Sequence, residues 1–208
     1  EALDFVSLMT PVVKSLFSDM GMEITSEAMQ IFGGYGYTKD QGIEQLYRDN
    51  RITPIYEGTN SVQAIDLVFR KLIYKDKDII GRYVKLIEEE IKKNKNQTKI
   101  KPLAEKLEEY LKITLNFTNW IKDKMKNSKD DVSAACNDYL KVLGFTALGY
   151  SWLKILDVSY KELNNNKKFF EDKIETANFF FNRVLPRIDY HYKSATSGSG
   201  YITNFKFN

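Results

Sequence analysis

The segment from Gln30 to Arg70, QIFGGYGYTKDQGIEQLYRDNRITPIYEGTNSVQAIDLVFR, organises the rest of the chain. It has the densest glycine usage outside the C-terminal tail, and it carries Glu57 in a turn between two apolar stretches. On both sides of it, apolar residues recur at three- and four-residue spacing, which is the pattern of amphipathic helices. We therefore predict helices before and after the segment and look for chemistry within it.

The helix that precedes the segment is predicted to begin at Thr10-Pro11, with Thr10 as its N-cap and Pro11 at the first helical position. The double glycine Gly33-Gly34 predicts its end, because glycine readily adopts the left-handed conformation that follows many helices.

A loop from Tyr35 to Gly42 is predicted next, followed by a short helix at about residues 43–49. Pro54 keeps the residue before it out of helical conformation, so the stretch around it is predicted to be extended or turning. Thr59 or Asn60 is then suited to cap a further helix.

Beyond residue 74, glycine and proline become scarce, and helical periodicity continues in long stretches joined by short polar loops. That layout is typical of an antiparallel up-and-down bundle. The predicted fold class is therefore all-α. The long helices are predicted at residues 78–95, 102–127, 129–163 and 168–192. The predicted domains are 1–74, an appended helical domain at 75–193, and a flexible or docked tail at 194–208.

The composition excludes several classes of protein. With 31 basic and 28 acidic residues in 208, the net charge of +3 is too small and dispersed to indicate a nucleic-acid or anionic-membrane surface. No apolar run is long enough to span a membrane. Cys136 is the only cysteine, so no internal disulfide can form, and a reducing, cytoplasmic location is predicted. Because the chain starts without methionine inside a helical pattern, we expect it to be a piece of a longer polypeptide.

The residues alone leave two interpretations of each candidate site. Glu57 either stabilises the start of the next helix or acts as a general base, with Gly58 leaving room for substrate. The glycines at 33 and 34 either stop a helix or let a phosphate approach backbone N–H groups. His191 lacks partner ligands for a metal, so no metal site is predicted.

Three separated motifs resemble the C-terminal helical domain of the acyl-CoA dehydrogenases. They are QIFGGYGY at 30–37, Arg48-Asp49, and IYEGTN at 55–60. The resemblance covers residues 1–72 and implies an acyl-CoA dehydrogenase C-terminal helical bundle. Residues 75–193 are similar in layout to the helical domain appended in the 3-methylmercaptopropionyl-CoA and phenylacyl-CoA dehydrogenase subgroup.

The resemblance implies an FAD-dependent enzyme that oxidises an acyl-CoA thioester to its trans-2-enoyl-CoA. Glu57 matches the base that removes the α-proton while a hydride leaves the β-carbon for the flavin, and Gly58 matches a substrate-binding position. Electrons would pass to an acceptor of the electron-transfer flavoprotein type, and the enzyme would be a homo-oligomer. The residues that match FAD-contacting positions are Gln30, Gly33, Gly34, Thr59, Asn60 and Ser61.

The family's N-terminal helical domain and middle β-domain, which hold the flavin ring, are not in this sequence. We therefore expect the 208 residues alone neither to retain FAD nor to turn over. Two alternatives remain. The chain could come from a DNA-binding, damage-response relative, which the near-neutral charge disfavours. The appended helices could also be a subunit-packing module without chemistry.

Overall fold

The computed structural model describes residues 2–73 and 78–204, and within them the backbone forms helices and turns but no strand. This confirms the predicted all-α fold class. The first half consists of α1 (Ala2–Phe32), α2 (Gly34–Tyr37), a 3-10 turn (Lys39–Gln41), α3 (Ile43–Asn50), α4 (Asn60–Ile65) and a π-helical continuation of α4 (Asp66–Ile73).

The predicted helix start at Thr10 is wrong, because α1 runs through Pro11 without a break. A proline inside a helix lacks the N–H that would bond to the carbonyl four residues earlier, here that of Ser7. The Nζ of Lys71 donates a hydrogen bond to this carbonyl. Lys71 is buried and also lies 3.4 Å from the carboxylate of Asp66. A contact from a distant lysine thus replaces the missing helical bond, and rules based on local sequence cannot foresee it.

Two other local predictions are confirmed. Helix α1 ends before Gly33, which has a left-handed φ of 61°. Thr59 is the N-cap of α4, and its side chain accepts a hydrogen bond from the backbone N–H of Val62 at 3.4 Å. The loop predicted at residues 35–42 is more helical than expected, since it contains most of α2 and the 3-10 turn.

The second half consists of α5 (Ile79–Lys95), α6 (Lys101–Lys124), α7 (Lys129–Lys161), α8 (Lys167–Phe179), α9 (Arg187–Thr196) and α10 (Gly200–Thr203). The predicted antiparallel bundle is confirmed. The fourth long helix is interrupted, however, by a π-helical turn at Phe180–Val184 and by Pro186, so that α8 and α9 are separate.

One hydrophobic core extends across both predicted domains. Helix α7 packs closely on α1 at Gly144, where a Cβ atom would lie 2.7 Å from the Cδ2 of Leu16 and 3.2 Å from the Cγ1 of Val12. The predicted boundary at 74/75 falls outside the described residues. Because α7 and α1 share buried side chains, the appended helices pack against α1 and stabilise its position.

The tail is attached to the rest of the chain at Ser199, whereas residues 201–204 are exposed. The backbone N–H and the hydroxyl of Ser199 both donate to one carboxylate oxygen of Asp131 at 2.8 Å, and the ammonium of Lys124 lies 2.9 Å from the other. The bond from Lys124 and those from Ser199 hold the pKa of Asp131 far below its usual range. The carboxylate therefore stays ionised and fixes the tail to the start of α7.

Cys136 is a core thiol. It is 2% exposed, and its Sγ donates to the carbonyl of Val132 at 3.2 Å. Burial raises the pKa of the thiol to about 12, so the reactive thiolate is scarce near neutral pH.

Candidate functional site

The loop between α3 and α4 carries Glu57 in an unusual backbone conformation. Among the residues that the structure describes, Glu57 is the only non-glycine with a positive φ, at 56°, and Gly58 follows with 79°. A glutamate in this region of φ/ψ space costs about 1–3 kcal/mol and persists only where the surroundings enforce it. Such strain is concentrated at functional sites. The backbone conformation and the sequence motif therefore both indicate Glu57 as a candidate functional residue.

Several hydrogen bonds hold this loop. The carbonyl of Glu57 accepts a bond from the Nε2 of Gln63 at 2.7 Å, and the N–H of Asn60 donates to the carbonyl of Pro54 at 3.1 Å. The Nζ of Lys14 on α1 donates to the carbonyl of Gly58 at 2.9 Å. Pro54, Glu57 and Gly58 are thus each hydrogen-bonded to a residue of α1 or α4.

The side chain of Glu57 is exposed in this chain, and so are those of its apolar neighbours, since Ile55 is 46% and Tyr56 49% exposed. The chain by itself therefore does not enclose the carboxylate. The role of Glu57 as a base stays a prediction, and the dry environment that such a role requires would have to come from protein surface outside these residues.

Three residues that follow the glutamate are predicted to contact a cofactor, and in the structure each has different partners. Thr59 is exposed and caps α4. The amide side chain of Asn60 is occupied within the chain by bonds to α1. The hydroxyl of Ser61 accepts a hydrogen bond from the Nδ2 of Asn137 on α7 at 3.2 Å. The cofactor contacts predicted for all three stay predictions.

Gln30, Gly33 and Gly34 lie together at the exposed end of α1. They are far from the Glu57 loop, which meets α1 near Ser18. With a rise of about 1.5 Å per residue, the two places are roughly 20 Å apart along α1. The structure thus divides the predicted site residues into two groups, a glutamate group at residues 57–61 and a double-glycine group at the end of α1.

The double glycine is open to approach from outside. At Gly33 and Gly34 an added Cβ would meet no atom within 4 Å among the residues that the structure describes. Gly33 nevertheless requires glycine for its backbone, since its φ of 61° and ψ of −146° lie in a region essentially restricted to glycine, whereas Gly34 begins α2 in helical conformation. The two glycines therefore have separable roles, one in folding the turn and the other in leaving space.

This difference predicts opposite effects for the same substitution. Gly33→Ala is expected to lower the free energy of unfolding by about 1–3 kcal/mol through backbone strain. Gly34→Ala is the matched control and is expected to be neutral or to stabilise by up to about 1 kcal/mol, because alanine favours helix over glycine. Chemical denaturation of both variants measures the difference. Equal destabilisation by the two substitutions would contradict the assignment.

Lys14 is the residue of this site that the sequence motifs did not identify. Its signal was nevertheless visible, since it is the only lysine or arginine among the first 38 residues.

No cluster of His, Cys, Asp and Glu able to bind a metal occurs in the part of the chain that the structure describes. His191 is 9% exposed; its Nδ1 lies 2.7 Å from the Oδ1 of Asp138, and its ring stacks on that of Phe145. These contacts fit a packed core histidine. None of the described helices is both long and apolar enough to cross a membrane.

Comparison with known proteins assigns both halves of the chain. Residues 83–206 match the family described as acetyl-CoA dehydrogenase C-terminal like, and residues 4–72 match the acyl-CoA dehydrogenase C-terminal domain. The chain belongs to the acyl-CoA dehydrogenase family. The family resemblance stated from the motifs is therefore confirmed, and the loop with Glu57 lies within the acyl-CoA dehydrogenase C-terminal domain match.

Individual relatives agree with this family. The chain is 28% identical over 188 residues to 3-methylmercaptopropionyl-CoA dehydrogenase of Ruegeria pomeroyi, covering 89% of this chain and 32% of that protein. It is 27% identical over 191 residues to a broad-specificity linear acyl-CoA dehydrogenase of Mycobacterium tuberculosis, covering 86% and 31%. The chain thus spans about a third of the length of these relatives.

A solved structure shows the same fold. The acyl-CoA dehydrogenase from Bacillus anthracis, crystallised in complex with FAD, matches with a TM-score of 0.69 and 20% sequence identity. The match covers 90% of this chain and 33% of that one. The helical arrangement described above is therefore that of an acyl-CoA dehydrogenase C-terminal region.

Proposed function

We propose that this chain is the C-terminal part of an FAD-dependent acyl-CoA dehydrogenase that converts an acyl-CoA thioester to its trans-2-enoyl-CoA. The observation that carries the proposal is the strained, hydrogen-bonded loop that presents Glu57 within a family-matched domain. The names of the relatives support acyl-CoA as the substrate class.

Glu57 is the general base of this reaction and removes the proton from the carbon next to the thioester carbonyl. Its own backbone N–H donates to that carbonyl, so that one residue both takes the proton and stabilises the developing enolate. The bound FAD supplies the acceptor for the hydride that leaves the β-carbon. Gly58 leaves space beside the base for the acyl chain, and its φ of 79° is a conformation that favours glycine.

FAD is held partly by the two groups of residues separated above. The open backbone at Gly33 and Gly34 fits a diphosphate, because no atom of residues 2–73 or 78–204 fills the space in front of these glycines. Gln30 lies beside them, and Thr59 and Ser61 follow the base. Asn60, whose amide is bonded to α1, serves the FAD site by fixing the start of α4 between them. The separation of roughly 20 Å along α1 supports an arrangement in which the double-glycine group serves the flavin of a neighbouring subunit.

The surface of the first half supports burial against further protein. Large apolar side chains on and after α1 are widely exposed, among them Leu3 at 84%, Ile31 at 83%, Tyr35 at 75% and Tyr37 at 79%. Contiguous apolar surface marks interaction sites, and Ile31, Tyr35 and Tyr37 lie close together in the chain around the end of α1. We propose that other domains of the same enzyme and a second subunit cover it, in a homo-oligomer that passes electrons to an acceptor of the electron-transfer flavoprotein type.

The DNA-binding alternative gains no support from the charges on the appended helices. Lysines there lie beside carboxylates, as in the pairs Lys93–Asp157, Lys95–Glu108 and Lys168–Asp172. Interspersed charge of this kind attracts a phosphate backbone weakly.

The proposal predicts a difference between this chain and a longer polypeptide that includes its upstream domains. The longer polypeptide is expected to purify with FAD, and its flavin absorbance is expected to bleach when acyl-CoA is added without oxygen. The 208-residue chain is expected to be helical, colourless and inactive, since it supplies only the base and part of the FAD-binding surface. Flavin absorbance and an anaerobic titration measure both. A longer polypeptide that binds FAD but is not reduced by any acyl-CoA would contradict the proposed reaction.

A further inference from the structure

Lys14 reaches from the middle of α1 to the loop that carries the proposed base. Its ammonium donates to the carbonyl of Gly58 at 2.9 Å and to the Oδ1 of Asn60 at 2.8 Å. Bonds with a charged donor are about twice as strong as neutral ones. One half-buried cation therefore joins the residue after Glu57 to the first residue of α4.

The amide of Asn60 completes the attachment. Its Nδ2 lies within hydrogen-bond distance of the Ser15 carbonyl at 3.2 Å, the Ser18 hydroxyl at 2.9 Å and the Asp19 carboxylate at 2.6 Å. Its Oδ1 accepts bonds from both Lys14 and Ser18. Every donor and acceptor of this amide is used within the chain, so the start of α4 is fixed to two successive turns of α1.

The same stretch of α1 is supported from its other side by the appended helices. The Nζ of Lys141 on α7 lies 3.7 Å from the second carboxylate oxygen of Asp19. Gly144, one turn further along α7, lets α1 approach so closely that a side chain there would clash with Leu16. Residues 12–19 of α1 are thus held between α7 and the loop.

From this geometry we propose that Lys14 is a positioning residue that holds the Glu57 loop in its left-handed conformation. The inference rests on the proposed function and extends it by one residue. The positive φ of Glu57 is strained, so the loop is expected to relax when the bonds from Lys14 to the Gly58 carbonyl and to Asn60 are lost, although Gln63 still holds the Glu57 carbonyl. A shift of about 1 Å in a reacting group can cost roughly 100-fold in rate.

The test compares Lys14→Met, which keeps the aliphatic stem but removes the donor, with Lys14→Arg, whose guanidinium can still reach two acceptors. In the FAD-bound full-length enzyme, Lys14→Met is expected to lower kcat by about 10- to 100-fold with KM changed less than about threefold. Lys14→Arg is expected to recover most of the rate. Lys85→Met, at an exposed lysine of α5, is the matched control and is expected to leave kcat unchanged.

A second readout does not depend on activity. Amide hydrogen exchange at Tyr56 and Asn60, whose N–H groups donate to the carbonyls of Ile52 and Pro54, is expected to speed up at least tenfold in Lys14→Met and to stay at the wild-type rate in Lys85→Met, both measured in the 208-residue chain. Unchanged exchange in Lys14→Met, or equal loss of kcat in the Met and Arg variants, would overturn the positioning role. If instead the wild-type enzyme does not oxidise acyl-CoA, the proposed function fails while the exchange result still decides the structural part.

Discussion

Glu57→Gln in the full-length enzyme is expected to reduce acyl-CoA oxidation by about 10²–10⁴-fold, the usual contribution of a general base. Glutamine has the shape of glutamate but cannot accept the α-proton at neutral pH. The backbone N–H that polarises the thioester carbonyl remains, so substrate binding is expected to change little. Rapid-mixing measurements of flavin reduction separate this loss from effects on later steps.

The FAD content of the variant shows whether the loss of activity comes from the missing base or from a disturbed structure. Glu57→Gln is expected to retain the wild-type ratio of FAD to protein, because the residues proposed to hold FAD are untouched. The control is the same change at Glu89, an exposed residue of α5, and it is expected to keep the wild-type rate. A near-normal rate in Glu57→Gln would remove the glutamate from its proposed role.

Phe117→Ala is expected to be among the most destabilising single changes in the chain, lowering the free energy of unfolding by about 3–5 kcal/mol. Phe117 on α6 is fully buried, and its ring packs against those of Tyr139, Tyr192 and Trp120 at 5.3, 5.5 and 6.0 Å between centroids. The substitution therefore leaves a cavity where α6, α7 and α9 meet.

Thermal and denaturant unfolding of the 208-residue chain measure this effect, and each kcal/mol corresponds to about 2–4 °C in a chain of this size. Phe179→Ala is the matched control, since that ring is 61% exposed, and it is expected to change stability by less than about 1 kcal/mol. Similar losses for the two variants would show that this aromatic cluster is not the centre of the core.

Periodicity and capping rules predicted most of the helical architecture, because these signals are local. Thr59 was identified as a possible cap and Gly33 as a helix end, and both follow from conformations that the residue itself prefers. The long helices α5, α6 and α7 were predicted within a few residues. Helices α5 and α6 each have an apolar face of regular period, whereas α7 is buried on several sides, with residues 142–146 all buried.

What the sequence could not predict depends on contacts between distant segments. The break between α8 and α9 involves a π-helical turn that periodicity does not register. The positive φ of Glu57 is invisible in the sequence, because glutamate does not prefer it. The hydrogen bonds from Lys14 reach Gly58 and Asn60, which lie 44 and 46 positions further along the chain. The motif thus identified which residue to examine, and only the structure shows what holds it.

The proline inside α1 makes two distant positions interdependent. The ammonium of Lys71 occupies the carbonyl of Ser7 because Pro11 cannot. Replacing the proline by alanine to regularise the helix would bring a competing amide to that oxygen and leave a buried cation with Asp66 as its remaining neighbour. Changes at positions 11 and 71 are therefore expected to be tolerated best as a pair. Alanine at position 11 alone brings a second donor to the Ser7 carbonyl in competition with Lys71, and removal of Lys71 alone leaves that carbonyl without its present donor.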